Sequence, residues 1–253
     1  MNRILKTIGT VFGLLAVNAI CIGIASIVTG ALPEENIMLT VAIGNWLTLG
    51  ALYIFLKDKK ISFKKELNLN KISAKAVLYN ILLGVGLMCV SLIIARVLIN
   101  IFPEYSEIEK DIDYMTTSII AIICVSLFIP IFEEIMFRGI IFNHLKANYT
   151  IKTAIIVQAI LFGLAHGNRL QGVYTFVSAI VFVLVNIYYD SIIPSMILHM
   201  VLNFIGVTDI EDILFFNDFL YSIFIAVGLV IFVYISFKMI SNYKKRNIKC
   251  KYN

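Results

Sequence analysis

Phe132-Glu133-Glu134-Ile135-Met136-Phe137-Arg138-Gly139 sets two carboxylates and a guanidinium in the middle of residues 118–142, an otherwise almost continuous run of Ile, Phe, Val, Leu, Ala and Met. A charge at the centre of a membrane helix costs roughly 2.5–3.5 kcal/mol, and each Ile, Leu, Phe or Val returns roughly 0.3–0.6 kcal/mol. Three such charges against about fifteen such apolar residues come out close to balance. A chain that carries this cost needs a buried partner or a use for the charges.

Working outward, the 253 residues are 60% hydrophobic and only 15% charged, with a mean hydropathy of +0.92. A soluble domain is about 45–50% apolar and about 25% charged. The sequence therefore reads as an all-α, polytopic membrane helix bundle. Crossing about 30 Å of hydrocarbon takes about 20 apolar residues. Eight runs come near that length, at 7–29, 37–56, 76–102, 118–142, 151–167, 173–189, 191–207 and 219–240. The first follows Arg3 and Lys6 as a signal peptide would, but it is too long for the apolar region of one. Asn18-Ala19-Ile20-Cys21 also lacks the small residue before Cys that a lipoprotein signal needs, so the run reads as a retained anchor.

The connections sort by charge. Residues 57–75 hold Lys57, Lys59, Lys60, Lys64, Lys65, Lys71 and Lys75, and the tail holds Lys244, Lys245, Arg246, Lys249 and Lys251. Lys and Arg accumulate in cytoplasmic loops. The alternate connections are acidic, with Glu34 and Glu35, then Glu104, Glu107, Glu109, Asp111 and Asp113, then Asp209, Glu211, Asp212 and Asp218. Eight spans with both termini cytoplasmic place all three acidic loops outside. The same distribution accounts for the net charge of +5 without a nucleic-acid partner. Cys21, Cys89, Cys124 and Cys250 form no C-x-x-C pair, so they suggest neither a disulfide framework nor a thiolate metal site. The chain is treated as a single integral membrane domain. It divides into a two-helix hairpin over 1–56, a basic cytoplasmic linker over 57–75, and a six-helix part over 76–253 with its core at about 118–207.

Only three histidines are present. His144 falls just past the cytoplasmic end of the fourth run, near Lys146, and reads as interfacial. His166 and His199 lie inside apolar runs, where an imidazole has to find a partner. Glu134 and Arg138 are four apart and share a helix face, whereas Glu133 is turned about 100° away. Phe162 and His166 are four apart, as are His199 and Asn203. Counting from a turn at Ala147-Asn148, Glu133 lies about 15 residues before it and His166 about 18 after, a difference of about 5 Å along the axes. His199 lies roughly 13 Å beyond the Asp190 turn, level with the others if the preceding hairpin protrudes by about 10 Å. Glu133, Glu134, His166, His199 and Asn203 can thus line one cavity. On the residues alone, three readings of that cavity stay open: polar glue between helices, a transporter or proton relay, and a hydrolytic site.

Glu133-Glu134-x-x-x-Arg138, Phe162-x-x-x-His166 and His199-x-x-x-Asn203, in that order on successive late runs, resemble the three motifs of the CPBP intramembrane proteases. That family, also called Abi, includes CAAX prenyl endopeptidases and bacterial bacteriocin-processing or self-immunity proteins. The resemblance covers about 118–207, including the approach Asp190-Ser191-Ile192-Ile193-Pro194-Ser195 to the third motif. It implies a membrane endopeptidase that cleaves a peptide or membrane-protein substrate reached from the bilayer or its cytoplasmic side. In that reading Glu133 activates water, His166 helps to hold it, and His199 and Asn203 stabilise the oxyanion. Glu134, Arg138 and Phe162 support them, with Glu134 kept ionised by Arg138. Glu133, His166 and His199 are also a two-His, one-carboxylate set that could hold Zn²⁺, so metal-dependent and glutamate-dependent mechanisms both stay open. H-E-x-x-H is absent, and Ser195 lacks a G-x-S-x-G setting. The rival is a non-catalytic membrane immunity or partner-binding protein. The expected location is the cell membrane, with prenylation of the substrate and the oligomeric state undetermined.

Overall fold

The computed structural model describes residues 3–30, 37–208 and 218–252. The acidic residues Glu34, Glu35, Asp209, Glu211 and Asp212, and the side chains of Arg246, Lys249, Cys250 and Lys251, lie outside the described residues. All the described secondary structure is helical. The helices are α1 (Arg3–Thr29), α2 (Ile37–Asp58), α3 (Phe63–Glu66), α4 (Ala74–Leu98), α5 (Tyr105–Met115), α6 (Ile119–Asn148), α7 (Ile151–Ala165), α8 (Arg169–Tyr189), α9 (Ile193–Gly206) and α10 (Asp218–Tyr252).

Each of the eight apolar runs contains a helix, but among the described residues six helices are long and apolar enough to cross a membrane: α1, α2, α4, α6, α8 and α10. At 15 and 14 residues, α7 and α9 reach about 22 and 21 Å, short of about 30 Å of hydrocarbon. The sequence shows why they stop. Gly167, with φ +74°, ends α7, and the Asn168 side chain then caps α8 by accepting from the Gln171 N–H at 2.8 Å. At the start of α9, Asp190 is left-handed (φ 49°) and Pro194 sits in the first turn, so the chain cannot run straight from α8 into α9. Six candidate spans thus stand among the described residues, and the two shorter apolar helices are the ones that bear or end at His166, His199 and Asn203.

Helix starts elsewhere follow hydroxyl caps. Ser73, Ser118 and Thr150 accept from the N–H groups of Ala76, Ala121 and Thr153 and open α4, α6 and α7. The acidic connection after α4 is itself helical. Tyr105, Ile108, Ile112 and Met115 of α5 are half-buried while the intervening residues are exposed, a 3.6-residue periodicity suited to a helix lying in an interface.

Two clusters of contacts mark opposite ends of the bundle. At one end Arg169 bonds Glu104, with Nη2 at 2.6 Å and Nε at 3.0 Å from Oε1. At the other, the 57–75 segment is latched to the late helices. Asn143 Nδ2 donates to Glu66 O (3.0 Å), Asn70 Nδ2 to Asp190 O (2.7 Å), and Ser191 Oγ to Asn70 O (2.7 Å). Leu67 is fully buried against Gly139, where an added Cβ would lie 2.6 Å from Leu67 Cδ2, so any larger residue there would push the Leu67 side chain aside. Thr7 joins the same end through His144 Nε2 (3.1 Å) and the Tyr149 hydroxyl (3.2 Å), which leaves His144 part-buried and bonded.

Two αL closures shape this linker. Lys60 (φ 56°) donates its N–H to Lys57 O and Ile61 to Leu56 O, and Asn68 (φ 50°) repeats the pattern with Lys65 O, as Leu69 does with Lys64 O. Both are Schellman ends that satisfy the last carbonyls of a helix. In the interior, α4 packs against α8, α9 and α10, and α6 packs against α2, α7 and α9. Helix α6 is thus central to the polar cluster and touches both the hairpin α1–α2 and the late helices.

Candidate active site

Helix α6 is not uniformly α-helical. It carries π-helical turns over Cys124–Phe128 and Ile135–Ile141, on either side of the two glutamates. Such turns redirect side chains and occur often at functional sites. Pro130 gives one of them a cause. Ile129 N–H bonds Cys124 O, an i−5 step. The next such step would give the Val125 carbonyl to residue 130, a proline without an N–H. Asn203 Nδ2 from α9 donates to that carbonyl at 3.1 Å. Asn203 thus joins α9 to α6 with one amide hydrogen and keeps a second for another acceptor.

Asn203→Ala should leave the Val125 carbonyl unsatisfied and cost about 1–3 kcal/mol. Adding Pro130→Ala supplies a backbone N–H and should recover part of the loss. Chemical unfolding of the single and double variants in detergent reads both, and equal stability of Asn203→Ala and the parent would overturn this role.

One turn deeper, Arg138 Nη1 bonds Glu134 Oε1 at 2.7 Å, with both side chains fully buried. The same Glu134 oxygen lies 2.9 Å from His199 Nδ1, and His199 Nε2 lies 3.5 Å from Glu133 Oε2. The His199 ring is therefore flanked by the two carboxylates, one at each nitrogen. An ionised Glu134 accepts from Nδ1–H, which turns Nε2 toward Glu133. Glu133 retains 24% side-chain exposure, whereas Glu134 has none. It is the one carboxylate of the pair with access to a substrate or to water.

Aromatic rings line the other side. The guanidinium carbon of Arg138 lies 4.2 Å from the Phe162 ring centroid and 4.8 Å from that of Phe182. Nε and Nη2 of Arg138 have no hydrogen-bond partner among the described residues, so the ring faces supply part of the stabilisation a buried cation needs. Phe162 also meets Phe137 edge-on at 5.0 Å and the rings of His166 and His199 at 4.9 and 5.7 Å. It is the spacer around which the cluster is assembled.

His166 sits at the C-terminal cap of α7, with Nδ1 held by Phe162 O at 2.8 Å. No hydrogen bond or ion pair joins it to Glu133 among the described residues; the imidazole facing Glu133 belongs to His199. Among the described residues no three His, Cys, Asp or Glu side chains converge as ligands for a metal ion, so Glu133, His166 and His199 are not gathered into the two-His, one-carboxylate set. The anchoring of His166 on its own helix backbone and of His199 on Glu134 accounts for this.

One contributor carries no signal in the sequence, and another enters there only as a serine without a G-x-S-x-G setting. Phe182 of α8 lies 4.8 Å from the His199 ring, tilted by 30°, and no motif spacing points to it because it comes from a separate helix. Ser195 is fully buried beside Glu134 and donates to Ile192 O. Its position one turn before His199 on the same face of α9 was the available signal.

No curated protein and no solved structure matches the chain. A family model does, over residues 115–205: that of the Rce1-like type II CAAX prenyl endopeptidases. The matched stretch contains Glu133, Glu134, Arg138, Phe162, His166, His199 and Asn203, and over it the chain is similar to that family, one of the CPBP proteases.

Proposed function

We propose that this chain is an intramembrane endopeptidase that hydrolyses a peptide bond in a membrane-associated peptide or protein, with Glu133 as the base that activates water. The observation that carries the reading is the Glu133–His199–Glu134–Arg138 chain of contacts, buried between apolar helices within the segment that matches a peptidase family. Arg138 neutralises Glu134, Glu134 orients His199, and Glu133 keeps the exposure needed to meet a substrate.

In the reaction Glu133 takes a proton from a water that attacks the scissile carbonyl, and passes it to the amine that leaves. The second amide hydrogen of Asn203 stabilises the charge that develops on the carbonyl oxygen, together with His199, one helical turn away on α9, when Nε2 carries a proton besides the one Nδ1 gives to Glu134. His166 helps to hold that water from the end of α7, where its Nδ1 is fixed on Phe162 O. The lysine-rich end of the bundle faces the cytoplasm, as the distribution of basic residues requires, and the protein resides in the cell membrane. The substrate class is a signalling peptide, a leader peptide or a membrane protein, with or without a prenyl group.

Purified protein in lipid vesicles, offered peptides released or retained by cells that contain or lack the chain, tests the activity. His199→Ala should lower cleavage by about 10²–10³-fold, the effect of removing one oxyanion donor. Activity measured before and after chelation, and again after zinc is added back, separates the two mechanisms: full activity without metal supports Glu133 acting on water alone, and loss restored by zinc supports a site in which Glu133, His166 and His199 would hold the ion. Full activity of His199→Ala would overturn the proposed role of this imidazole.

A further inference from the structure

Away from the polar cluster, a cavity of ≈ 440 Å³ opens at the basic end of α2, lined by Tyr53, Lys57, Lys60, Ile61, Phe63 and Lys64 together with Ser62. Three of its lining residues are lysines, and among the described residues no Asp or Glu lines it. It sits where the apolar run of a membrane-crossing helix ends, Leu56 being buried and Lys57 exposed. That is the level of the lipid headgroups, and the lining has the matching division. Tyr53 and Phe63 meet edge-on at 5.8 Å and supply an apolar part of the lining, beside Lys57, Lys60 and Lys64.

The backbone supplies an independent sign. Lys60 occupies the left-handed C′ position of the Schellman end of α2, with φ 56°, N–H to Lys57 O at 3.0 Å, and Ile61 N–H to Leu56 O at 2.9 Å. Glycine takes this conformation without strain and is the usual residue there. A lysine costs stability at this position, and it points to a role for the side chain. We infer that this recess binds the phosphate-bearing headgroup of an anionic phospholipid, with Lys57, Lys60 and Lys64 around the phosphate and Tyr53 and Phe63 against the start of the acyl chains. A basic pocket at the end of a membrane helix suits such headgroups, and each lysine near the surface contributes an attraction equivalent to about fivefold in affinity.

Native mass spectrometry of the detergent-solubilised full chain, titrated with phosphatidylglycerol, phosphatidylcholine or inorganic phosphate, reads the site directly. Phosphatidylglycerol should bind in preference to phosphatidylcholine, and Lys57→Gln/Lys60→Gln/Lys64→Gln should weaken it on the order of a hundredfold. Lys244→Gln/Lys245→Gln, in the exposed basic tail, should bind as the parent does. Lys60→Gly separates binding from folding: thermal stability should hold or rise while phosphatidylglycerol affinity falls about fivefold. The inference is overturned if Lys60→Gly binds as tightly as the parent, if the tail variant loses as much as the triple variant, or if phosphatidylcholine binds equally well. Inorganic phosphate bound as tightly as the lipid would make the ligand a free anion and overturn the lipid assignment.

Discussion

Glu133→Gln should lower peptide-bond cleavage by about 10²–10⁴-fold, the usual contribution of a positioned general base, while the helical fold is retained. The amide has the shape of the carboxylate but cannot take a proton from water. Glu133 keeps 24% side-chain exposure and its ionisable neighbour, His199 Nε2, is 3.5 Å away, so little of the buried scaffold depends on it. Unfolding in denaturant should therefore be nearly unchanged. Substrate binding should also persist, so the loss belongs in kcat and not in KM. Rates of peptide release from vesicles for the parent and the variant, with thermal unfolding measured on the same samples, decide the matter. A variant as active as the parent removes Glu133 from the chemistry. A polar cluster that only glues helices together predicts the reverse pattern, lost stability with no change in processing.

Arg138→Ala should be the most destabilising single change in the site, by about 3–5 kcal/mol. Both members of the Glu134–Arg138 pair have no exposed side-chain surface, and the variant strands a carboxylate in an apolar interior. It also removes the cation that lies against Phe162 and Phe182. Glu134→Gln leaves the guanidinium with a neutral partner and should cost less than Arg138→Ala. Replacing the pair together, as Glu134→Gln/Arg138→Met, should be far less harmful than the sum of the single changes, because neither charge is left alone. That double variant should still lose activity, since His199 Nδ1 would then face an amide instead of a carboxylate. Equal stability of Arg138→Ala and the parent would show that the pair contributes nothing to the fold.

Part of this architecture was legible in the residues. Apolar runs of about 20 residues announce membrane helices because no other spanning structure satisfies a single backbone segment internally. The spacing of Glu134 and Arg138 implies a shared face because one helical turn is 3.6 residues. Length was less legible for α7 and α9. The runs at 151–167 and 191–207 already stop at Gly167 and start after Asp190, but hydropathy does not show that the helices themselves cover only Ile151–Ala165 and Ile193–Gly206. The acidic connection at 104–113 read as a loop because its charges outweigh Ile108 and Ile112, yet those two share a helix face with Tyr105 and Met115.

The sequence by itself determined the class of protein, the helical segments and the pairing of Glu134 with Arg138, all of which rest on contacts within one helix or on composition. Only the tertiary structure decided which imidazole meets Glu133. His199 reaches both glutamates because α9 packs directly on α6, whereas His166 is held by the Phe162 carbonyl at the end of its own helix. It likewise decided that Asn203 serves the carbonyl that Pro130 cannot, and that Phe182 shields Arg138 and His199. Such relations join residues far apart in the chain, and they depend on where helices end and how they cross, which local spacing does not encode.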